Sequence, residues 1–265
     1  MIEIDGKLVL TSLAELADPS RAALVLVDMQ KDFVDPDGEF GRLGVDLSMY
    51  PPMLPRLVGL LAAAREAGIF VVHIQMTTLN GRISDSPAQI RFNLRMHERA
   101  RADGPPLRYT ELGTRGHQFV AEFEPRADEV VVPKWRSSGF WGTNLDMILR
   151  SNGIQTLVVA GCTTEGCVES TARDAAFSDY YVVIAEDCVA SDDRSQHEAS
   201  LLLMQHRFEL AQSQAISDVW ARPVTAAGVG YDGREAAGPP AEDSVPTERP
   251  ATAALHLGPE QRQRA

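Results

Sequence analysis

The chain has 265 residues, of which 44% are hydrophobic and 23% charged, an ordinary globular balance that excludes a disordered, collagen-like or fibrous chain. At roughly 150 residues per domain this length allows one to two domains, with core enough to fold without disulfide or metal staples. A net charge of −12 argues against nucleic-acid and anionic-membrane partners, which need basic patches.

In chain order, EIDGKLVL sets Asp5-Gly6 between two short β-prone runs, a hairpin signal inside an N-terminal extension over 1–20. No basic region precedes an apolar stretch there, so no secretory signal is expected. Nor does any segment approach the roughly 18 uninterrupted apolar residues of a membrane span. A single α/β domain is expected over 21–222. Ala23–Val27 is a continuous apolar run ending at Asp28. Leu54, Leu57, Val58, Leu61 and Ala64 recur at helical spacing, and Gly68 stops that helix. Ile69–Ile74 and Val130–Val132 read as further strands, and Leu145, Ile148 and Leu149 as a helix. Thr156–Ala160 is a buried strand, and a helix follows from about Glu165 to Phe177. Tyr181–Ala185 is a fifth strand, Ser195–His206 a helix, and Phe208–Ala211 a candidate sixth strand. Continuous β-branched runs separated by helices predict a parallel sheet covered on both faces. Residues from about 77 to 128 break this rhythm, contain Pro105-Pro106, and form an insertion too long for a plain connection. Residues 223–265 are rich in Ala, Gly and Pro and predict a flexible tail.

Open parallel sheets take ligands outside the carboxyl ends of their strands. Three chemically active residues follow three of these strands: Asp28, Lys134 and Cys167. Cys167 is followed by a helical pattern, and a helix N-terminus favours a thiolate and offers free N–H groups to an oxyanion. Taken alone it equally suits a small buried cysteine at a helix start. Asp28 suits a general base or a turn cap, and Lys134 a charge partner or a solvated strand end. Cys162 and Cys188 read as buried structural thiols. Three cysteines make no disulfide framework and fit a reducing, cytoplasmic setting.

The stretches ALVLVDMQKDFVDPDGEF (23–40), VVVPKWRSSGFWGTNLDMILRSNGIQTLVVAGCTTEGCVESTARDA (130–175) and VVIAEDCVASDD (182–193) carry a resemblance. The chain is similar over about 22–220 to the isochorismatase-like cysteine hydrolases, which include nicotinamidases, N-carbamoylsarcosine amidohydrolase, biuret hydrolase and ureidoacrylate amidohydrolase. The resemblance implies a three-layer α/β/α fold with a six-stranded parallel sheet. It implies an amidohydrolase that cleaves the C–N bond of a small linear amide or ureido compound through a thioester, with Asp28, Lys134 and Cys167 catalytic. It also implies a cis peptide between Cys162 and Thr163, and an oxyanion hole from the N–H groups of Thr163 and Cys167. Family members are commonly dimers or tetramers, so a homo-oligomer is expected, and the insertion suits either its interface or a substrate lid.

Three departures narrow this expectation. Cys167 stands where true isochorismatases have glycine, which disfavours vinyl-ether hydrolysis. Metal-binding nicotinamidases carry an Asp-x-His cluster after the second strand. Here His73 lies within the strand with no second histidine at ligand spacing, so no metal and no cofactor are expected. Gly166 before the cysteine resembles the N-carbamoylsarcosine amidohydrolase pattern and points toward acyclic amides or ureides. A nicotinamidase- or maleamate-type amidase and a non-catalytic relative are the alternatives. Phe33, Phe140 and Trp141 are candidate pocket walls, with core packing equally open. Arg194 is a candidate grip for a substrate carboxylate, against a surface role beside Asp192 and Asp193.

Overall fold

The computed structural model describes residues 1–97 and 108–222. The tail expected over 223–265 and the Pro105-Pro106 pair lie outside the described residues. The first two strands, β1 (Ile2–Ile4) and β2 (Lys7–Val9), form an antiparallel hairpin. Asp5 and Gly6 both have positive φ, the geometry of the tight two-residue turn. The short helix α1 (Leu13–Leu16) leads into the domain.

Six strands then make one parallel sheet: β3 (Ala22–Val27), β4 (Phe70–Met76), β5 (Val130–Lys134), β6 (Thr156–Cys162), β7 (Tyr181–Ala190) and β8 (Glu209–Ala211). Their spatial order is β5-β4-β3-β6-β7-β8. The chain therefore builds outward from β3 in one direction, returns, and builds outward in the other. The crevice between β3 and β6 is the topological switch point, where such sheets bind ligands.

Eight more helices complete the described residues: α2 (Lys31–Val34), α3 (Glu39–Arg42), α4 (Tyr50–Glu66), α5 (Pro87–His97), α6 (Leu145–Ser151), α7 (Glu169–Phe177), α8 (Arg194–Met204) and α9 (Ser213–Trp220). Helices α1, α4 and α9 cover one face of the sheet; α6, α7 and α8 cover the other. The alternation of side chains along β3 divides its residues between the two cores. Leu24 and Leu26 join the core with Leu57 and Trp220, whereas Ala23, Val25 and Val27 join the one with Leu149 and Ala175.

The structure differs from the sequence expectation at four places. β5 runs to Lys134, because an edge strand tolerates Pro133. β7 runs to Ala190, since its pairing with β6 shifts register after Val159 and then resumes at Gly161–Val189. Cys188 consequently lies inside β7, buried, and not beyond a strand. Finally, α7 begins only at Glu169, because a π-turn over Thr164–Val168 precedes it.

His73 is fully buried on β4, and its Nε2 meets Glu129 Oε2 at 2.8 Å. Arg65 grips the same carboxylate through Nε at 2.6 Å and Nη2 at 2.9 Å. Burial opposes the Glu129 charge, but Arg65, the Arg126 N–H and His73 outweigh it and hold the pKa down to about 2. A depressed carboxyl pKa stabilises the fold fully above the unfolded value of 4.5 and ceases to do so as pH falls toward 2. The His73 pKa is lowered, chiefly by burial, which works in the same acid-labile direction. Urea midpoints measured at pH 7 and pH 3 should therefore differ less in Glu129→Gln than in the wild type. The difference in acid sensitivity should be about 2 kcal/mol. Equal acid sensitivity in the two proteins would count against this assignment.

Candidate active site

Four parallel strands deliver their carboxyl ends to one sheet edge. Register places Val27 opposite both Ile74 and Gly161, and Met76 opposite Lys134. Asp28 follows β3 directly, with its N–H donating to Ile74 O and a φ of 52°, a left-handed conformation rare outside glycine. Gly161 permits the close passage of β6. A Cβ there would meet Val27 O at 2.2 Å, and its φ is +117°.

Asp28 and Lys134 are both fully buried. Lys134 Nζ lies 2.8 Å from Asp28 Oδ2 and donates to Cys167 Sγ at 2.9 Å and to Arg136 O at 3.0 Å. The ammonium's hydrogen bonds thus go to the Cys167 sulfur, the Arg136 carbonyl and, at 3.6 Å, the Met76 sulfur, with the Asp28 carboxyl at ion-pair distance. Asp28 Oδ1 accepts from the Met76 N–H at 2.9 Å, and Asp28 is also within hydrogen-bonding reach of Cys167. Burial raises the Asp28 pKa, with Lys134 opposing it. For Lys134 burial works against the charge, but Asp28 and Cys167 outweigh it and raise the pKa.

Burial pushes the Cys167 thiol up to about 12, against the pull of Lys134. This corrects the expectation of a thiolate favoured by a helix N-terminus. Cys167 sits in the π-turn, set by Val168 N donating to Thr163 O at 3.1 Å, and loss of solvent dominates its proton affinity. The turn is held on both sides. Thr164 Oγ1 meets His197 Nδ1 of α8 at 2.8 Å, and Thr171 Oγ1 donates to Cys167 O at 2.7 Å. The peptide bond between Cys162 and Thr163 is cis. Cys162 is fully buried beneath the site, its thiol donating to Asp28 O at 3.3 Å.

A cavity of about 420 Å³ opens above Cys167 and is also lined by Thr163, Gly166 and Met76. Phe33 lines it, within an aromatic cluster with Phe40 and Tyr109 whose ring centroids stand 5.0 to 5.8 Å apart. The other three candidate pocket residues do not line it. Phe140 packs on Tyr180 at 5.9 Å, against the core beneath α6 and α7. Trp141 is 62% exposed, with the Arg136 guanidinium 5.7 Å from its ring centroid, and lines a separate shallow depression. Arg194 is exposed in the first turn of α8.

Sequence reasoning missed Phe40 and Tyr109, and it gave no pocket role to Phe92, Glu165 or Asp192, all of which line the cavity. Glu165 had a usable signal, lying two residues before the thiol in the same turn. Tyr109 and Phe92 had none, because they come from the insertion and converge only through tertiary contacts. His73 does not line this cavity. Among the described residues no group of three or more His, Cys, Asp or Glu side chains is placed to hold a metal ion, and no helix is long and apolar enough to cross a membrane.

A model of the isochorismatase domain matches residues 22–215. The chain belongs to the isochorismatase family. An isochorismatase family protein from Desulfovibrio vulgaris subsp. vulgaris str. Hildenborough is 30% identical, with a TM-score of 0.59, over 76% of this chain and 98% of that one. N-carbamoylsarcosine amidase from Thermoplasma acidophilum is 28% identical, with a TM-score of 0.56, over 73% and 96%. Pyrazinamidase of Pyrococcus horikoshii, solved in complex with zinc, is 27% identical, with a TM-score of 0.56, over 72% and 99%. The isochorismatase-family fold of this chain is the α/β sheet described above, and amidases are among its structural neighbours.

Proposed function

We propose that this protein is a cysteine amidohydrolase that cleaves the C–N bond of a small linear amide or ureido compound and releases ammonia. The observation that carries the reading is the buried contact of Asp28, Lys134 and Cys167 beneath a cavity sized for a small molecule. A thiol held near pKa 12 needs a base at the moment of attack, and Asp28 is within reach to act as one.

In the proposed cycle Asp28 takes the Cys167 proton as sulfur attacks the amide carbonyl carbon. The C–S bond forms, and the N–H groups of Thr163 and Cys167 receive the oxyanion. Collapse breaks the C–N bond, the proton on Asp28 passes to the departing nitrogen, and ammonia leaves. Asp28 then takes a proton from water, whose oxygen attacks the thioester. The C–S bond breaks, the proton returns to sulfur, and the acid product departs. Lys134 keeps its charge throughout and offsets whichever of carboxylate or thiolate is ionised. The N-carbamoylsarcosine amidase and pyrazinamidase relatives support amide chemistry of this kind.

The test is ammonia release from N-carbamoyl amino acids, biuret, ureidoacrylate-type compounds, maleamate and nicotinamide, with acid-quenched samples weighed as intact protein. An acyl adduct on Cys167 that disappears as substrate is exhausted is the expected result. Ammonia release that persists after Cys167 is fully alkylated would overturn the reading.

A further inference from the structure

The cavity that holds the thiol also has acidic side chains in its lining. Glu165 and Asp192 both line it. Glu165 Oε2 is buried and has no hydrogen-bond partner among the described residues. Burial raises the pKa of both carboxyls, hydrogen bonds from Ser191 oppose the rise, and neighbouring acids add a smaller increase: Asp192 and Asp193 for Glu165, Asp193 and Asp46 for Asp192. A cation placed beside them would favour their charged forms. Arg95 also lines the cavity, so one cationic side chain stands among its walls. Lys134 is already shared by Asp28 and Cys167.

Part of the lining is aromatic, Phe33, Phe40, Tyr109 and Phe92, with Gln89, Ser137 and Gln196 among the neutral polar groups. Aromatic faces attract cationic nitrogen through the ring quadrupole, and such rings beside carboxyls make a recognised way of holding ammonium groups. A carboxylate at the same place would meet two acids and lose its hydration to apolar rings.

We propose that the substrate's acyl part carries a cationic nitrogen group, an ammonium or guanidinium, seated between the Glu165–Asp192 carboxyls and the aromatic cluster of Phe33, Phe40 and Tyr109. This rests on the amidohydrolase reading above and adds the substrate's charge class to it. Glu165 and Asp192 are then specificity residues, acting on binding and not on the reacting carbonyl.

Three linear amides of similar length separate the possibilities: β-alaninamide (cationic), butyramide (neutral) and succinamate (anionic). Their binding to the Cys167→Ala protein is measured by calorimetry at pH 7, and their hydrolysis by the wild type as ammonia release. β-Alaninamide should bind at least about tenfold more tightly than succinamate, and Glu165→Gln in the Cys167→Ala background should remove most of that preference while leaving butyramide unchanged. Tighter binding of succinamate would overturn the proposal, as would a cation preference indifferent to both Glu165→Gln and Asp192→Asn. Absence of binding by all three at millimolar concentration would overturn it too. A cation preference without ammonia release from these amides or from the compounds named under the proposed function would leave the cation subsite standing and remove the hydrolase reading. Ammonia release favouring succinamate would do the reverse.

Discussion

Cys167→Ala should lower kcat/KM for ammonia release by at least about four orders of magnitude while leaving the fold intact. The reason is chemical. Sulfur is the atom that Lys134 Nζ touches at 2.9 Å at the base of the cavity, and alanine offers no electron pair to form the acyl intermediate. Stability should change by less than about 1 kcal/mol, because Lys134 keeps its contacts to Asp28 and Arg136 O. Cys167→Ser keeps a hydroxyl but should be nearly as inactive, since an alcohol is a far weaker acid for Asp28 to deprotonate. Steady-state assays and thermal unfolding of both variants check this. Residual activity within tenfold of the wild type would exclude Cys167 as the nucleophile.

The second large effect is expected at the buried ion pair, where activity and stability separate. Asp28→Leu leaves the Lys134 charge fully buried without its carboxylate and should cost about 3–5 kcal/mol. Lys134→Met strands Asp28 in the same way and should cost a similar amount. Combining them removes both charges and both desolvation costs. The double variant should recover most of the loss and come within about 2 kcal/mol of the wild type, while remaining inactive. Urea unfolding of the four proteins gives the coupling directly. Additive losses in the double variant would mean that the two charges do not stabilise one another, contrary to the 2.8 Å contact.

Several features were legible because they depend on neighbours in sequence. The apolar runs at Ala23–Val27, Ile69–Ile74 and Thr156–Ala160 became strands β3, β4 and β6 within a residue or two at most boundaries. Continuous β-branched runs have no solvent-facing alternation, so they can only lie inside a sheet covered on both sides. Asp28, Lys134 and Cys167 were candidates because each lies at or just beyond the carboxyl end of a strand, and parallel strands bring those ends to one edge. The shift of Cys167 into a π-turn was not legible, because one added residue in a turn leaves the 3.6-residue pattern of α7 undisturbed.

The pocket walls followed a different rule. Phe140 and Trp141 are near Lys134 in sequence, yet the loop after β5 turns one into the core beneath α6 and α7 and the other toward solvent. Arg194 is close to the cavity residue Asp192 but starts α8, and its side chain is exposed. Adjacency in the chain does not set side-chain direction once a turn intervenes. Phe92 and Tyr109 reach the cavity from an insertion with no strand–helix rhythm, so nothing local marked them.

The sequence by itself marked the parallel α/β class through its continuous apolar runs, placed Asp28, Lys134 and Cys167 as candidates after strand ends, and carried in its motifs the resemblance to the family. Only the tertiary structure decided the pocket: its aromatic cluster, the half-buried carboxyls lining it and the proton affinity of its thiol. Those properties depend on desolvation and on distances between segments as far apart in sequence as Phe33 and Asp192, and neither quantity exists until the chain has packed.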